Sequence, residues 1–224
     1  MKINQIKASK YSIIIGRNSI SLLSRELKKL CPKCQKVAII IDKKIPKKFL
    51  KKIKSNLKKY RIFVFKLSSS EKIKNLNYTN LIINKLLRLN FNRSDVVIGI
   101  GGGIVGDMSG FISSIYKRGI NFINLPSTLL SQVDSCIGGK TGVNSSYGKN
   151  LIGSFYNPKI VISETNFLKS LPKREILCGY AEILKHAIIY DKKFFFFLKK
   201  NTKNILSLNT QVLSKSIKRS CEIK

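Results

Sequence analysis

The chain has little of several things. Among its 224 residues there are 11 Asp and Glu, one histidine, no tryptophan and 8 Arg against 35 Lys. No window reaches the ~18 unbroken apolar residues of a membrane-spanning helix. The start, Met1 to Lys7, has neither an apolar leader core nor a small-residue cleavage site. These absences predict a soluble, cytoplasmic protein that neither spans nor rests on a membrane. The five cysteines, Cys31, Cys34, Cys136, Cys178 and Cys221, are odd in number and scattered. That pattern speaks against a secreted disulfide framework. Cys31-Pro32-Lys33-Cys34 has C-x-x-C spacing, but no second such pair and no histidine pair follows to complete a zinc site, so it reads as an incidental pair.

The scarcity of acids leaves 43 Lys and Arg against 11 Asp and Glu, a formal charge of +32. Such a balance invites a basic nucleic-acid-binding reading. Two features weaken it. Arginine, which supplies bidentate phosphate and base contacts, is rare here. Residues 91–150 hold 5 Lys and Arg and 3 acids, net +2, while the other 164 residues hold 38 and 8, net +30. The excess avoids the most unusual part of the sequence and reads as solvated lysine faces. No specific nucleic-acid partner is expected, only weak, salt-sensitive polyanion binding.

What is present is 43% apolar residues in alternating patterns. Tyr11–Ile15, Val37–Ile41, Ile62–Leu67 and Val96–Ile100 read as short buried strands. Between them, 19–30, 46–60 and 76–89 have helical spacing, with leucines and isoleucines on one face and lysines on the other. This alternation predicts an α/β fold, a Rossmann-like, mostly parallel sheet covered on both faces. Beyond Pro158 only Ile160–Ile162 still reads as a strand, and from Pro172 onward the chain reads as helices. The expectation is a nucleotide-binding α/β unit over residues 1–170 and the first helices of an all-α unit over 171–224. The apolar faces of those helices, including Phe194–Phe197, are expected to be partly exposed.

The segment Ile98-Gly99-Ile100-Gly101-Gly102-Gly103-Ile104-Val105-Gly106-Asp107 leaves a strand and enters a helix. Glycines let the backbone turn sharply and bring its N–H groups close to an anion, and a helix N-terminus favours negative charge there. Gly101, Gly103 and Gly106 satisfy G-x-G-x-x-G, here after the fourth predicted strand rather than the first, with no acid near residue 126. Asp42, closing the second predicted strand, is the natural ribose-binding acid, since ligands gather at the carboxyl ends of parallel strands. Residues 125–150 then form a long polar segment, read as a functional loop. Lys140 and Lys149 each sit beside glycine outside any charge run, as anion-binding lysines would. Asp134 could pair an ammonium, orient a substrate hydroxyl or cap a helix.

Gly101–Asp107, Arg118-Gly119, Pro126–Asn144, Gly148–Tyr156, Leu168–Pro172 and Ala181-Glu182-Ile183-Leu184-Lys185 together resemble 3-dehydroquinate synthase, a family of sugar-phosphate cyclases. The resemblance implies conversion of 3-deoxy-D-arabino-heptulosonate 7-phosphate to 3-dehydroquinate and phosphate, in the shikimate pathway, by a homodimer using NAD+ and a divalent Zn2+ or Co2+. It implies NAD+ contacts from Asp42, Glu71, Lys74, Gly103, Ile104, Val105, Gly106, Asp107, Ser127, Thr128, Lys140, Lys149, Phe167, Leu168, Lys169 and Ser170. Asp134, Lys140, Asn150 and Lys185 resemble substrate-contacting residues, Arg118 an arginine reaching into the neighbouring subunit's site, and Glu182 the carboxylate ligand of the metal. The family's two metal-binding histidines come from later in its helical region, and this sequence holds only His186. Glu182 and His186, four apart, share a helix face, but two ligands would hold a cation poorly. Activity of the chain alone is therefore doubtful, and a non-catalytic remnant or one half of a split enzyme is the alternative expectation.

Overall fold

The computed structural model describes residues 3–7 and 11–224; Met1 and Lys2, part of the start read as lacking a leader, lie outside the described residues. The Ile- and Val-rich runs become inner strands because both of their faces can be buried. In chain order the sheet strands are β1 (Asn4–Lys7), β2 (Ser12–Gly16), β3 (Lys36–Asp42), β4 (Arg61–Leu67), β5 (Val96–Gly101), β6 (Asn121–Pro126) and, after a separate hairpin of β7 (Lys140–Ser145) and β8 (Gly148–Phe155), β9 (Ile160–Glu164). They lie in the order β1-β2-β9-β6-β5-β3-β4. Every pairing is parallel except that of β1 with β2. This is the α/β, Rossmann-like sheet that the alternation predicts.

Alternation along β3 shows how the layers form. Val37, Ile39 and Ile41 join Leu23 and Leu27 of α1 (Leu23–Leu30) and Phe49 and Ile53 of α2 (Lys47–Asn56) in one buried cluster. Ala38 and Ile40 face the other way, onto Ile82 and Leu86 of α3 (Leu76–Arg88) and Val105, Met108 and Ile112 of α4 (Gly103–Ile115). Three further helices, α5 (Lys173–Tyr190), α6 (Lys192–Leu206) and α7 (Thr210–Ile223), pack as a third cluster on Ile13, Ile15 and Val161 at the β2–β9 side of the sheet. Within them Phe194 is buried while Phe196 is 54% exposed, and Ile188, Ile189 and Tyr190 form an open run at the end of α5. Among the described residues, no helix is long and apolar enough to cross a membrane.

The structure corrects two readings and adds an inner strand. The glycine segment follows the fifth strand in chain order, because Asn4–Lys7 adds an antiparallel edge strand. Asn121–Pro126 is an inner strand despite Asn121, Asn124 and Pro126, which mask its apolar Phe122, Ile123 and Leu125. The long polar segment is mostly not loop: it folds as a helical turn over Ser131–Ser135 and the β7–β8 hairpin. That hairpin escapes hydropathy reading because much of β8 faces solvent.

Four of the cysteines are buried and unpaired, and Cys178 is exposed. Burial pushes the Cys31 thiol up to about 11 and the Cys34 and Cys221 thiols up to about 12, and raises that of Cys136. The thiolate is the reactive form. Iodoacetamide at neutral pH is therefore expected to label the folded chain once, at Cys178, and all five cysteines only after unfolding. A second label at a comparable rate on folded protein, read by mass spectrometry, would contradict this packing.

Candidate functional site

The turn between β5 and α4 is built from its glycines. No side chain caps the start of α4 at Gly102, so its first-turn N–H groups are left for a ligand or water. A Cβ on Gly101 would lie 2.6 Å from the Val105 Cβ, one on Gly103 3.2 Å from the Ser135 hydroxyl, and one on Gly102 3.3 Å from the Thr128 methyl. Ser127 N–H donates to the Gly101 carbonyl at 2.8 Å, and Ser131 N–H donates to the Thr128 hydroxyl at 3.1 Å. These bonds place the Ser127-Thr128 pair against the turn. A tight, uncapped helix start of this kind fits a diphosphate.

Around it stand most of the residues implied to hold a nucleotide. Asp42, at the carboxyl end of β3, is buried; its carboxylate accepts the Lys44 N–H at 2.9 Å and the Ser69 hydroxyl. Lys74 is 4% exposed and donates to Asp107 at 2.6 Å and to the Asn150 side chain. Burial raises the Asp107 carboxyl above the usual range, and the Lys74 ammonium opposes that rise. The Asn144 amide donates to Glu71 at 2.7 Å, and the Asn144 N–H to the Lys74 carbonyl at 2.7 Å. The hairpin is thus tied to the 71–75 segment and to α4.

Beside this network lies a cleft of about 730 Å³ lined by Asp107, Asp134, Lys140, Asn150, Phe155 and Lys224, among others. It brings together three of the implied substrate contacts, Asp134, Lys140 and Asn150, with the last residue of the glycine segment. Lys149 is exposed on β8, and Ile104 is half-buried while Val105 faces the core. Phe167 and Leu168 are fully buried, Phe167 against the Phe49 ring at 4.7 Å. Only Lys169 and Ser170 of that stretch present side chains to a ligand, lining a separate cleft of about 320 Å³ with Arg17, Lys48 and Glu164. Arg118 is exposed in the turn beyond the far end of α4, roughly 20 Å of helix from the glycine turn.

The third part comes from α5. A Cβ on Gly179 would meet Leu129 Cβ and Cγ at 2.5 Å and the Leu130 backbone nitrogen at 2.6 Å, so this glycine lets α5 lie directly on the 129–135 turn. One turn further along, Glu182 reaches the neighbourhood of Asp134. Lys185 pairs with Glu182, and Lys224 with Asp134 at 2.7 Å. His186 is buried, its Nδ1 2.6 Å from the Ser220 hydroxyl and its Nε2 3.3 Å from Glu182 Oε1. Burial lowers its pKa below the imidazole norm. One ligand atom each from Asp134, Glu182 and His186 lie within 4.8 Å of one another. The sequence reading paired Glu182 with His186 and left Asp134 out. No local spacing links residues 48 positions apart; the signal, in hindsight, is Gly179 on a helix face otherwise rich in large residues.

The architecture matches solved structures of known chemistry. A 2-epi-5-epi-valiolone synthase from Streptomyces hygroscopicus subsp. jinggangensis 5008, with NAD+ and Zn2+ bound, aligns over 100% of this chain and 62% of its own with a TM-score of 0.84 at 21% identity. A 2-deoxy-scyllo-inosose synthase complexed with carbaglucose-6-phosphate, NAD+ and Co2+ aligns over 83% of this chain and 51% of its own, TM-score 0.75, 24% identity. At those identities the likeness shows the fold. In sequence, the chain is 52% identical over its whole length to the 3-dehydroquinate synthase of Pelagibacter ubique (strain HTCC1062), covering 61% of that protein. It is 41% identical to that of Thermodesulfovibrio yellowstonii, covering 96% of this chain and 60% of the relative. The chain therefore spans about three-fifths of the length of the curated relatives it matches. The family model for the 3-dehydroquinate synthase N-terminal region matches residues 64–178, and that for the C-terminal region matches 179–224. On these matches, and on the site just described, the chain belongs to the 3-dehydroquinate synthase family.

Proposed function

We propose that the chain serves the 3-dehydroquinate synthase reaction, in which 3-deoxy-D-arabino-heptulosonate 7-phosphate becomes 3-dehydroquinate with loss of phosphate. The observation that carries the proposal is one continuous network in which the uncapped glycine turn, the Lys74–Asp107 pair and the Asp134–Lys140–Asn150 cleft adjoin. When bound, NAD+ supplies reversible hydride acceptance and a divalent cation supplies Lewis-acid polarisation of a substrate oxygen. The protein's part is position and charge. The first-turn N–H groups of α4 and the Gly103–Asp107 backbone hold the diphosphate, and Asp42 accepts from a ribose hydroxyl. Glu71, Ser127, Thr128, Lys149 and the Phe167–Ser170 backbone, with Lys169 and Ser170 side chains, frame the rest of the nucleotide.

Lys140 offers the exposed ammonium for an anionic group of the sugar, and Asn150 and Asp134 orient its hydroxyls. Lys185, paired with Glu182 across one helical turn, supplies a further positive charge at the substrate side. Glu182 holds the cation. Residues 1–170 form the nucleotide-binding unit and 171–224 the helices that face the metal and substrate. In a homodimer Arg118 extends to the neighbouring subunit's cleft. Because the chain spans about three-fifths of its relatives' length, the measurement is phosphate release from the heptulosonate phosphate with NAD+ and Co2+, and release that needs both additions would support the proposal. No release while NAD+ and Co2+ are both bound would contradict the proposal.

A further inference from the structure

We infer that Gln132 is a positioning residue for the dinucleotide: its buried side-chain amide sets the gap between the two segments that frame the nucleotide. The inference deepens the proposed function and rests on its dinucleotide reading. The sheet shows why such a residue is needed. The pairing of β6 with β9 ends at Asn124 opposite Val161. On its other side β6 stays paired with β5 as far as Pro126 opposite Gly101, and β9 stays paired with β2 as far as Glu164 opposite Gly16. The two strands therefore part at their carboxyl ends, opening the kind of crevice where ligands gather on parallel sheets. Beyond it each strand runs into a segment assigned to the nucleotide, Ser127-Thr128 after β6 and Thr165–Ser170 after β9.

Gln132 spans that parting. It is fully buried, and its Nε2 donates to the Pro126 carbonyl at 3.1 Å and to the Glu164 carbonyl at 3.3 Å. These are the last residues of β6 and β9, so one nitrogen with two hydrogens joins two strand ends where the ladder between them has stopped. The amide oxygen is buried without a hydrogen-bond partner among the described residues, so the side chain is held through its donors. The backbone of Gln132 is anchored as well. Its N–H donates to the Thr128 carbonyl at 3.0 Å, and its carbonyl accepts the Cys136 thiol at 3.5 Å and the Cys221 thiol at 3.3 Å. A fixed backbone and a fixed amide leave little play in the gap. Any change in it would carry Ser127-Thr128 relative to the glycine turn on one side and Lys169-Ser170 on the other. Gln132 thus acts through these segments rather than by touching the nucleotide.

Calorimetric titration of NAD+ into wild type and two variants tests the assignment. Gln132→Leu removes both donors and is expected to weaken NAD+ binding at least about tenfold, since buried carbonyls that lose a donor shift to find another. Gln132→Glu keeps a donor only while its carboxyl is protonated, and burial raises that pKa. Its NAD+ affinity is expected to lie within about threefold of wild type at about pH 5.5 and to fall at least about tenfold below it at about pH 9. A residue that merely stabilises the fold would lower Tm without a pH-dependent loss of NAD+ affinity. Wild type gives a reading that needs no variant to fold: both Nε2 protons of Gln132, followed by NMR, are expected to exchange more slowly with NAD+ bound, because the bound state keeps the bridge closed. Affinities within about twofold of wild type in both variants, or Nε2 exchange unchanged by saturating NAD+, would overturn the positioning role and leave the nucleotide site standing. A folded wild type that takes up no NAD+ would overturn the proposed function together with it.

Discussion

Lys74→Met is expected to lower the free energy of unfolding by about 3 kcal/mol, with a loss that grows as pH rises. Lys74 is almost wholly buried and holds Asp107 at 2.6 Å and the Asn150 side chain. Removing one partner of a buried pair costs about 3–5 kcal/mol, because the other charge is left without compensation. The lower end applies, since the Asp107 side chain keeps 22% of its surface open to water. Methionine keeps the length of the side chain, so the packing change is small.

The pH dependence follows from Asp107. Burial already raises its carboxyl, and Lys74 is the first of the opposing influences. Without the ammonium the folded-state pKa climbs further above the unfolded one. The folded state then binds more protons than the unfolded state between those values, so stability falls as pH rises through that window. Urea denaturation of wild type and variant at about pH 4, near the ordinary aspartate value, and at about pH 8, well above it, checks this. A difference below about 1 kcal/mol, or one equal at the two pH values, would show that the pair is not coupled as described.

Gly179→Val is expected to cost about 3 kcal/mol, in the upper part of the range for overpacking. For a chain of this size that corresponds to a fall of about 10 °C in Tm. The added Cβ meets Leu129 at 2.5 Å and the Leu130 backbone nitrogen at 2.6 Å, and backbone cannot step aside as a long side chain can. Gly179→Ala should lose less, because alanine regains about 1 kcal/mol of helix propensity. The displacement should also separate Glu182 from Asp134. A valine variant melting with wild type would mean that α5 does not rest on the 129–135 turn.

Much of the sheet was legible because burial on both faces demands unbroken Ile and Val, as in Val37–Ile41 and Val96–Ile100. The helices were legible through their one-sided apolar spacing, and the glycine turn through residues that chemistry rarely tolerates elsewhere. What escaped has physical reasons. Asn121–Pro126 carries polar residues inside a strand, and the β7–β8 hairpin is polar because it lies on α4 with β8 largely open to solvent. Buried carboxylates with purely structural work also gave no sign. Asp95 accepts N–H groups of Gln35, Lys36 and Asn92, joining the starts of β3 and β5. Glu164 accepts those of Asn18, Ile20 and Asn166. Of the candidate site, Asp134 and Lys140 were marked out by their polar, glycine-rich setting, and Asn150 only through the family resemblance. The meeting of Asp134 with Glu182 and His186 was not, because it depends on a helix crossing that only three-dimensional packing sets.

In the proposed function the uncapped turn at Gly101–Asp107, with Asp42 across the carboxyl edge of the sheet, holds a dinucleotide. Titrating NAD+ into the folded chain in a calorimeter tests it most directly. The expected result is a saturable heat corresponding to one NAD+ per chain; a flat titration with protein shown to be folded would contradict it.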